Sequence, residues 1–229
     1  MRKTTSAICR LYRQTAVFAA MAFLSALCLS MLAVRIAYTG NLTFVFLAWN
    51  LFLAWLPLAS AFVAYRFYPK CVGLLRALPV ACMGIWLVFL PNAPYLLTDL
   101  VHLMPRHDMS FWFDLTLLVA FAMTGLLYCL VSLYWMQQLV VRIAGPAVSW
   151  GFVLGVSALS SFGIYLGRFQ HWNSWDVVSN PMGLLVDIWQ NVRHPVTHFQ
   201  TFAFSGLFTL FLMAAYFMLS VLTGLRQER

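Results

Sequence analysis

The residues most able to do chemistry sit on one stretch, Pro91-Asn92-Ala93-Pro94-Tyr95-Leu96-Leu97-Thr98-Asp99-Leu100-Val101-His102-Leu103. At about 100° per residue, Tyr95, Thr98, Asp99 and His102 fall within an arc of roughly 100°. Leucine and valine cover the rest of that short helix. A carboxylate and an imidazole near membrane depth are expensive to place and point to function. The alternative is an interfacial helix whose polar stripe faces water. Asp99 and His102 stand at i, i+3, and His194 and His198 at i, i+4; both spacings project two side chains to one side. Imidazole with carboxylate suits zinc or another divalent metal. Three histidines, His102, His194 and His198, with an open water position would form a catalytic zinc arrangement. Metal-bound water would then be the nucleophile, with Asp99 or Asp114 as base. Tyr95, Asn92, Thr98, Arg168 and Asp176 complete the candidate site as binding residues. Arg168 suits a phosphate or carboxylate, or else pairs with Asp176 or Asp99.

The elements that must position these groups are membrane helices. Of 229 residues, 63% are hydrophobic and 9% charged. Soluble domains carry about a quarter charged residues, so this chain cannot clothe a water-soluble surface. The expected fold is an all-α membrane protein: one polytopic domain of six spans at about 15–36, 42–64, 77–103, 111–136, 147–166 and 196–222. The third span should break at 91–94. Pro94 cannot donate a backbone hydrogen bond and disfavours helical angles at Ala93, while suiting the first position of a new helix. Asn92 is then placed to bond the backbone groups the break frees. Without the segment after Pro94, the third span falls short of the roughly 20 residues a bilayer needs. Asn180-Pro181 opens a further amphipathic helix, with Leu184, Leu185, Ile188, Trp189 and Val192 at helical spacing, expected to lie in the interface plane.

Charge gives an orientation. Ten of the fourteen Lys and Arg fall on the side of the termini, and four (Arg35, Arg106, Arg168, Arg193) on the other. The positive-inside rule then places both termini in the cytoplasm. All five histidines and five of the six acidic residues share the outer side, which suggests a single site there. The net charge of +8 reads as topology rather than nucleic-acid binding. The five cysteines match no zinc or redox spacing.

The stretch Leu90-Pro91-Asn92-Ala93-Pro94-Tyr95, followed by Thr98-Asp99-Leu100-Val101-His102-Leu103, resembles the signature of a bacterial multi-pass inner-membrane family catalogued as a domain of unknown function. A second matching patch is Tyr165-Leu166-Gly167-Arg168-Phe169 with Trp172-Asn173-Ser174-Trp175-Asp176. The resemblance implies a polytopic inner-membrane protein and supplies no activity. Separately, Thr98-x-x-x-His102, then Asp114, then His194-x-x-x-His198 is similar to the zinc layout of the alkaline ceramidase and adiponectin-receptor superfamily. There, Ser-x-x-x-His, Asp and His-x-x-x-His are spread over seven helices. Here Thr98 stands for the Ser and one helix is missing.

Three functions remain open from the sequence. One is a metal-dependent hydrolase of a lipid or envelope precursor. The second is a non-catalytic assembly or accessory protein of the bilayer. The third is a proton-coupled transporter, since intramembrane Asp/His chains make proton relays and a broken helix marks ion sites.

Overall fold

The computed structural model describes residues 2–105, 108–193 and 199–225, without side-chain detail before residue 15 or after residue 223. It is built of helices, and the described residues contain no strand. Six stretches are long and apolar enough to cross a membrane, so the fold is an all-α membrane bundle. In chain order the elements are α1 (Arg2–Thr39), α2 (Phe46–Phe67), a 3-10 turn (Gly73–Arg76) and α3 (Ala77–Phe89). A single turn α4 (Asn92–Tyr95) and a 3-10 turn (Thr98–His102) follow. Then come α5 (Phe111–Ala144), α6 (Pro146–Phe169), the turn α7 (Asp176–Ser179), α8 (Pro181–Arg193) and α9 (Phe199–Leu225).

The chain is organised around α5, the most buried of the spans, which packs against α1, α2, α4, α6 and α9. Its inner face is Leu117, Leu118, Phe121, Leu126, Tyr128, Leu133 and Met136, all buried. In lipid, helices gain nothing from hydrophobic exclusion, so close packing and interhelical hydrogen bonds hold them together. One such chain links three helices. Trp55 Nε1 donates to Ser25 Oγ over 3.0 Å, Ser25 bonds Tyr128 Oη, and Tyr128 donates to the Met21 carbonyl over 2.9 Å. Another joins α5 to its neighbours through Gln137, which accepts from Tyr216 over 2.5 Å and approaches Ser149 Oγ at 3.4 Å.

The third span is broken. α3 stops at Phe89, and Leu90 and Pro91 form a turn. Asn92 Nδ2 donates to the Phe89 carbonyl at 3.0 Å, replacing a backbone donor that the break removes. The continuation differs from the helix expected to begin at Pro94. Ala93 is itself helical, the α-turn starts at Asn92, and the chain then tightens into a 3-10 turn. In a 3-10 turn residues three apart eclipse one another, so Asp99 stands directly over His102.

Glycines make room for this break. A Cβ on Gly125 of α5 would lie 2.3 Å from the Ala93 carbonyl oxygen and 2.7 Å from Leu96 Cδ1. A Cβ on Gly163 of α6 would lie 2.8 Å from Pro91 Cγ. The segment 91–96 is therefore wedged into notches on two neighbouring helices, and Ala93, Pro94 and Leu96 are buried there.

Helix ends also differ from the sequence reading. α5 runs on to Ala144 rather than 136, because Gln137 is satisfied inside the bundle and nothing stops the helix before Gly145. That glycine sits at φ 87°, a left-handed angle that costs other residues dearly, and Pro146 at once opens α6. α2 begins at Phe46 rather than 42, after a turn in which the Asn41 side chain accepts from the Thr43 backbone N–H at 3.0 Å. α8 forms over Pro181–Arg193 with Met182, Leu185, Val186, Trp189 and Val192 exposed, an apolar face suited to a membrane surface.

Candidate functional site

Because the spans alternate in direction, the C-terminal ends of α1, α3 and α6 meet the N-terminal ends of α2, α5 and α9. Interhelical contacts at this end join Arg35 to Asp114 and Asp99 to both Asn50 and Arg168. All five aspartates lie in its segments. Arg66, Lys70, Arg76 and Arg142 belong to segments at the opposite end.

Asp99 is at the centre of the cluster and only 1% exposed. Arg168 Nη1 lies 3.2 Å from Asp99 Oδ1, and Asn50 Nδ2 donates to Oδ2 at 3.0 Å. A buried carboxylate persists when paired and hydrogen-bonded in this way. Arg168, whose side chain is 16% exposed, has further partners. Its Nη1 is 3.4 Å from the Tyr95 hydroxyl, its guanidinium stands 5.7 Å from the centre of that ring, and its Nη2 is 3.2 Å from His102 Nε2. A guanidinium can only donate. In this contact His102 Nε2 is therefore the acceptor. The His102 ring also stands edge-on to Phe46 at 5.1 Å.

Of the residues singled out from sequence, Tyr95, Asp99, His102 and Arg168 come together. Asn92 lies beside them and donates to Ser174 Oγ at 2.7 Å, tying the break to the loop after α6. Thr98 turns back to donate to the Tyr95 carbonyl at 2.7 Å. Asp176 takes up neither Arg168 nor Asp99. It accepts from the Asn173 backbone N–H at 2.8 Å and from Ser179 Oγ at 2.9 Å, and these bonds hold its carboxyl below the usual carboxylate range. His194 and His198 lie outside the described residues.

Asp114 belongs to a second pair. Arg35, 0% exposed, donates through Nε to Asp114 Oδ1 at 2.7 Å and through Nη2 to Oδ2 at 3.2 Å. Asp108 stands 3.8 Å from the same Nη2, and the Phe44 ring lies under the guanidinium at 4.4 Å.

Two participants were not recognised from sequence. In the sequence Arg35 reads only as a topology charge at the end of the first span. Asn50 carries a signal of its own: an amide inside the apolar run Phe46-Leu47-Ala48-Trp49-Asn50-Leu51 is a polar group needing a partner in lipid.

Beside the cluster is a cavity of about 190 Å³. Asn50, Asn92 and Tyr95 form part of its wall, with Trp49, Trp172 and Trp175 from α2 and the loop after α6. The Trp49 and Trp175 rings meet edge to face at 6.5 Å. Trp172 is held by its Nε1, which donates to Asp187 Oδ2 at 2.9 Å.

For metal chemistry, no group of three or more His, Cys, Asp or Glu side chains among the described residues could hold an ion. The local chemistry also opposes it: Arg168 already occupies Asp99 Oδ1 and His102 Nε2, and a divalent cation there would have to displace a guanidinium from both.

Residues 49–215 match the model of a family described as "Protein of unknown function (DUF1361)". The match spans both patches that carried the sequence resemblance. No curated protein and no solved structure matches the chain.

Proposed function

We propose, for a chain that belongs to the DUF1361 family, a non-catalytic role: holding the headgroup of a lipid or envelope precursor in the cavity at the Asp-rich end. The observation that carries this reading is the burial of Asp99, which is 1% exposed, does not line the cavity, and accepts from Asn50 on one oxygen and Arg168 on the other. A general base must lie within hydrogen-bond reach of the proton it abstracts, and Asp99 is closed off from the cavity. Here the carboxylate is spent on bracing. It fixes Asn50 from α2 and Arg168 from α6 against the broken third span, and Asn50 and Tyr95 pass from that brace into the cavity wall. The cluster sets the shape of the pocket, and the pocket meets the ligand. The hydrolase reading has weaker support, since the same guanidinium sits where its metal would go.

The test is the composition of protein purified in mild detergent without chelator. We expect a retained lipid or lipid-linked species and no stoichiometric metal. One equivalent of zinc or another divalent ion, lost on replacing His194 or His198, would overturn the reading and restore the hydrolase.

The same proposal places the cavity at the outer face of an inner membrane. The support is the ten-to-four division of Lys and Arg between the two sides, read through the positive-inside rule. Reporter fusions after Arg76 and Arg142 should be cytoplasmic, and fusions after Arg106 and Asp187 periplasmic. A cytoplasmic signal after Asp187 would turn the cavity inward and remove periplasmic precursors from consideration.

A further inference from the structure

We propose that the cavity binds an alkylammonium group, as carried by an aminoalkyl phospholipid or a free amine. The inference rests on the binding reading above and adds the class of ligand.

Three features select a cation. The first is the wall itself. Trp49, Trp172 and Trp175 bring three indole rings to one small space beside Tyr95, whose ring Arg168 already faces, and among the described residues no Lys, Arg or His side chain lines it. Aromatic faces carry negative potential, and tryptophan is the best of them for attracting a cation. The Asp187 carboxylate on the Trp172 indole N–H pushes further electron density into that ring.

The second is the set of amide oxygens. Asn50 and Asn92 both line the cavity. Their orientations are fixed by what their nitrogens do: Asn50 Nδ2 must donate to the Asp99 carboxylate, and Asn92 Nδ2 to the Phe89 carbonyl. That leaves each Oδ1 as the acceptor end of an amide in the cavity wall. Amide oxygens in the wall suit the N–H groups of an ammonium.

The third is the surrounding charge. Arg168 and Arg35 are each committed to an aspartate. Asp176 and Asp187 stand in the segments that frame the loop side of the cavity, so the field there favours a positive ligand.

The experiment is reconstitution into nanodiscs of equal parts phosphatidylethanolamine and phosphatidylglycerol, with lipid retention read by native mass spectrometry. Ethanolamine lipid should be retained at least about tenfold over glycerol lipid, as expected from a desolvated cation–π site. Trp175→Ala and Trp49→Ala should each abolish the preference. Both side chains are substantially exposed, 42% and 54%, so folding should survive, and an unchanged melting temperature checks this. Free ethanolamine in excess should displace the lipid if the ammonium alone is recognised; if it does not, the lipid is the source. Equal retention of the two lipids, preference for phosphatidylglycerol, or preference for an added neutral glycolipid would each overturn the ammonium assignment while leaving a binding pocket. Retention of no lipid and no amine would overturn the binding reading as well.

Discussion

Replacing Arg35 with Met is expected to destabilise the protein by about 3–5 kcal/mol, the usual cost of breaking a buried ion pair from one side. The side chain is fully buried and bonds both oxygens of Asp114. Without it a carboxylate remains among the ends of apolar helices, short of a counter-charge. Most of the loss is therefore the penalty of leaving Asp114 alone rather than the net worth of the pair. The double variant Arg35→Met/Asp114→Leu separates the two. It removes both charges and should recover most of the stability, since buried pairs exchanged for apolar residues are often neutral. Unfolding in mild detergent, with the single variants Arg35→Met and Asp114→Leu and the double variant compared in a thermodynamic cycle, measures this. A single-variant loss below about 1 kcal/mol, typical of solvent-exposed pairs, would mean that water or another group satisfies Asp114.

The second large effect belongs to Gly125. Alanine here puts a methyl group 2.3 Å from the Ala93 carbonyl oxygen, and that oxygen is backbone, fixed by the proline turn. Overpacking a tight interior costs about 1–3 kcal/mol, occasionally more, and the upper end applies because no flexible side chain can move aside. Gly125→Ala should lower the melting temperature clearly or prevent accumulation of folded protein. Gly155→Ala is the control: it lies in the same class of apolar helix with nothing within 4 Å of the added carbon. Similar losses in both would show that α5 does not hold the broken span through a glycine notch.

Much of this architecture could be read before any coordinates. Six apolar runs give six candidate spans, and two prolines around Asn92 give the break, because both are local properties of the chain. The partner of each charge was not legible. Arg35 and Asp114 are 79 positions apart, and Asp99 and Arg168 are 69 apart. Nothing in spacing distinguishes Asp99 bonded to Arg168 from Asp99 sharing a metal with a histidine. Asp114 read as a candidate base gives no hint of its need for Arg35. Polarity also misled at Gln137. It resembled the edge of the membrane, yet it is buried and bonded to Tyr216, so α5 continues for two further turns. The glycines that matter for the break could not be told from those that do not, since Gly125 and Gly155 look alike until the neighbouring backbone is in place.

The long reach of the Asp99–Arg168 pair also sets an order of assembly. Ribosomes add about 5–20 residues per second, so the 69 positions between the two residues take roughly 3–14 s to synthesise. Through that interval Arg168 does not yet exist, and Asp99 has only Asn50 of its two partners. The third span must wait with its far end in water while α5 and α6, joined through Gly145 alone, are delivered to the bilayer as one hairpin. Only then does Arg168 arrive and allow the broken helix to sink into its glycine notches. A span early in the chain is in this way among the last to be completed.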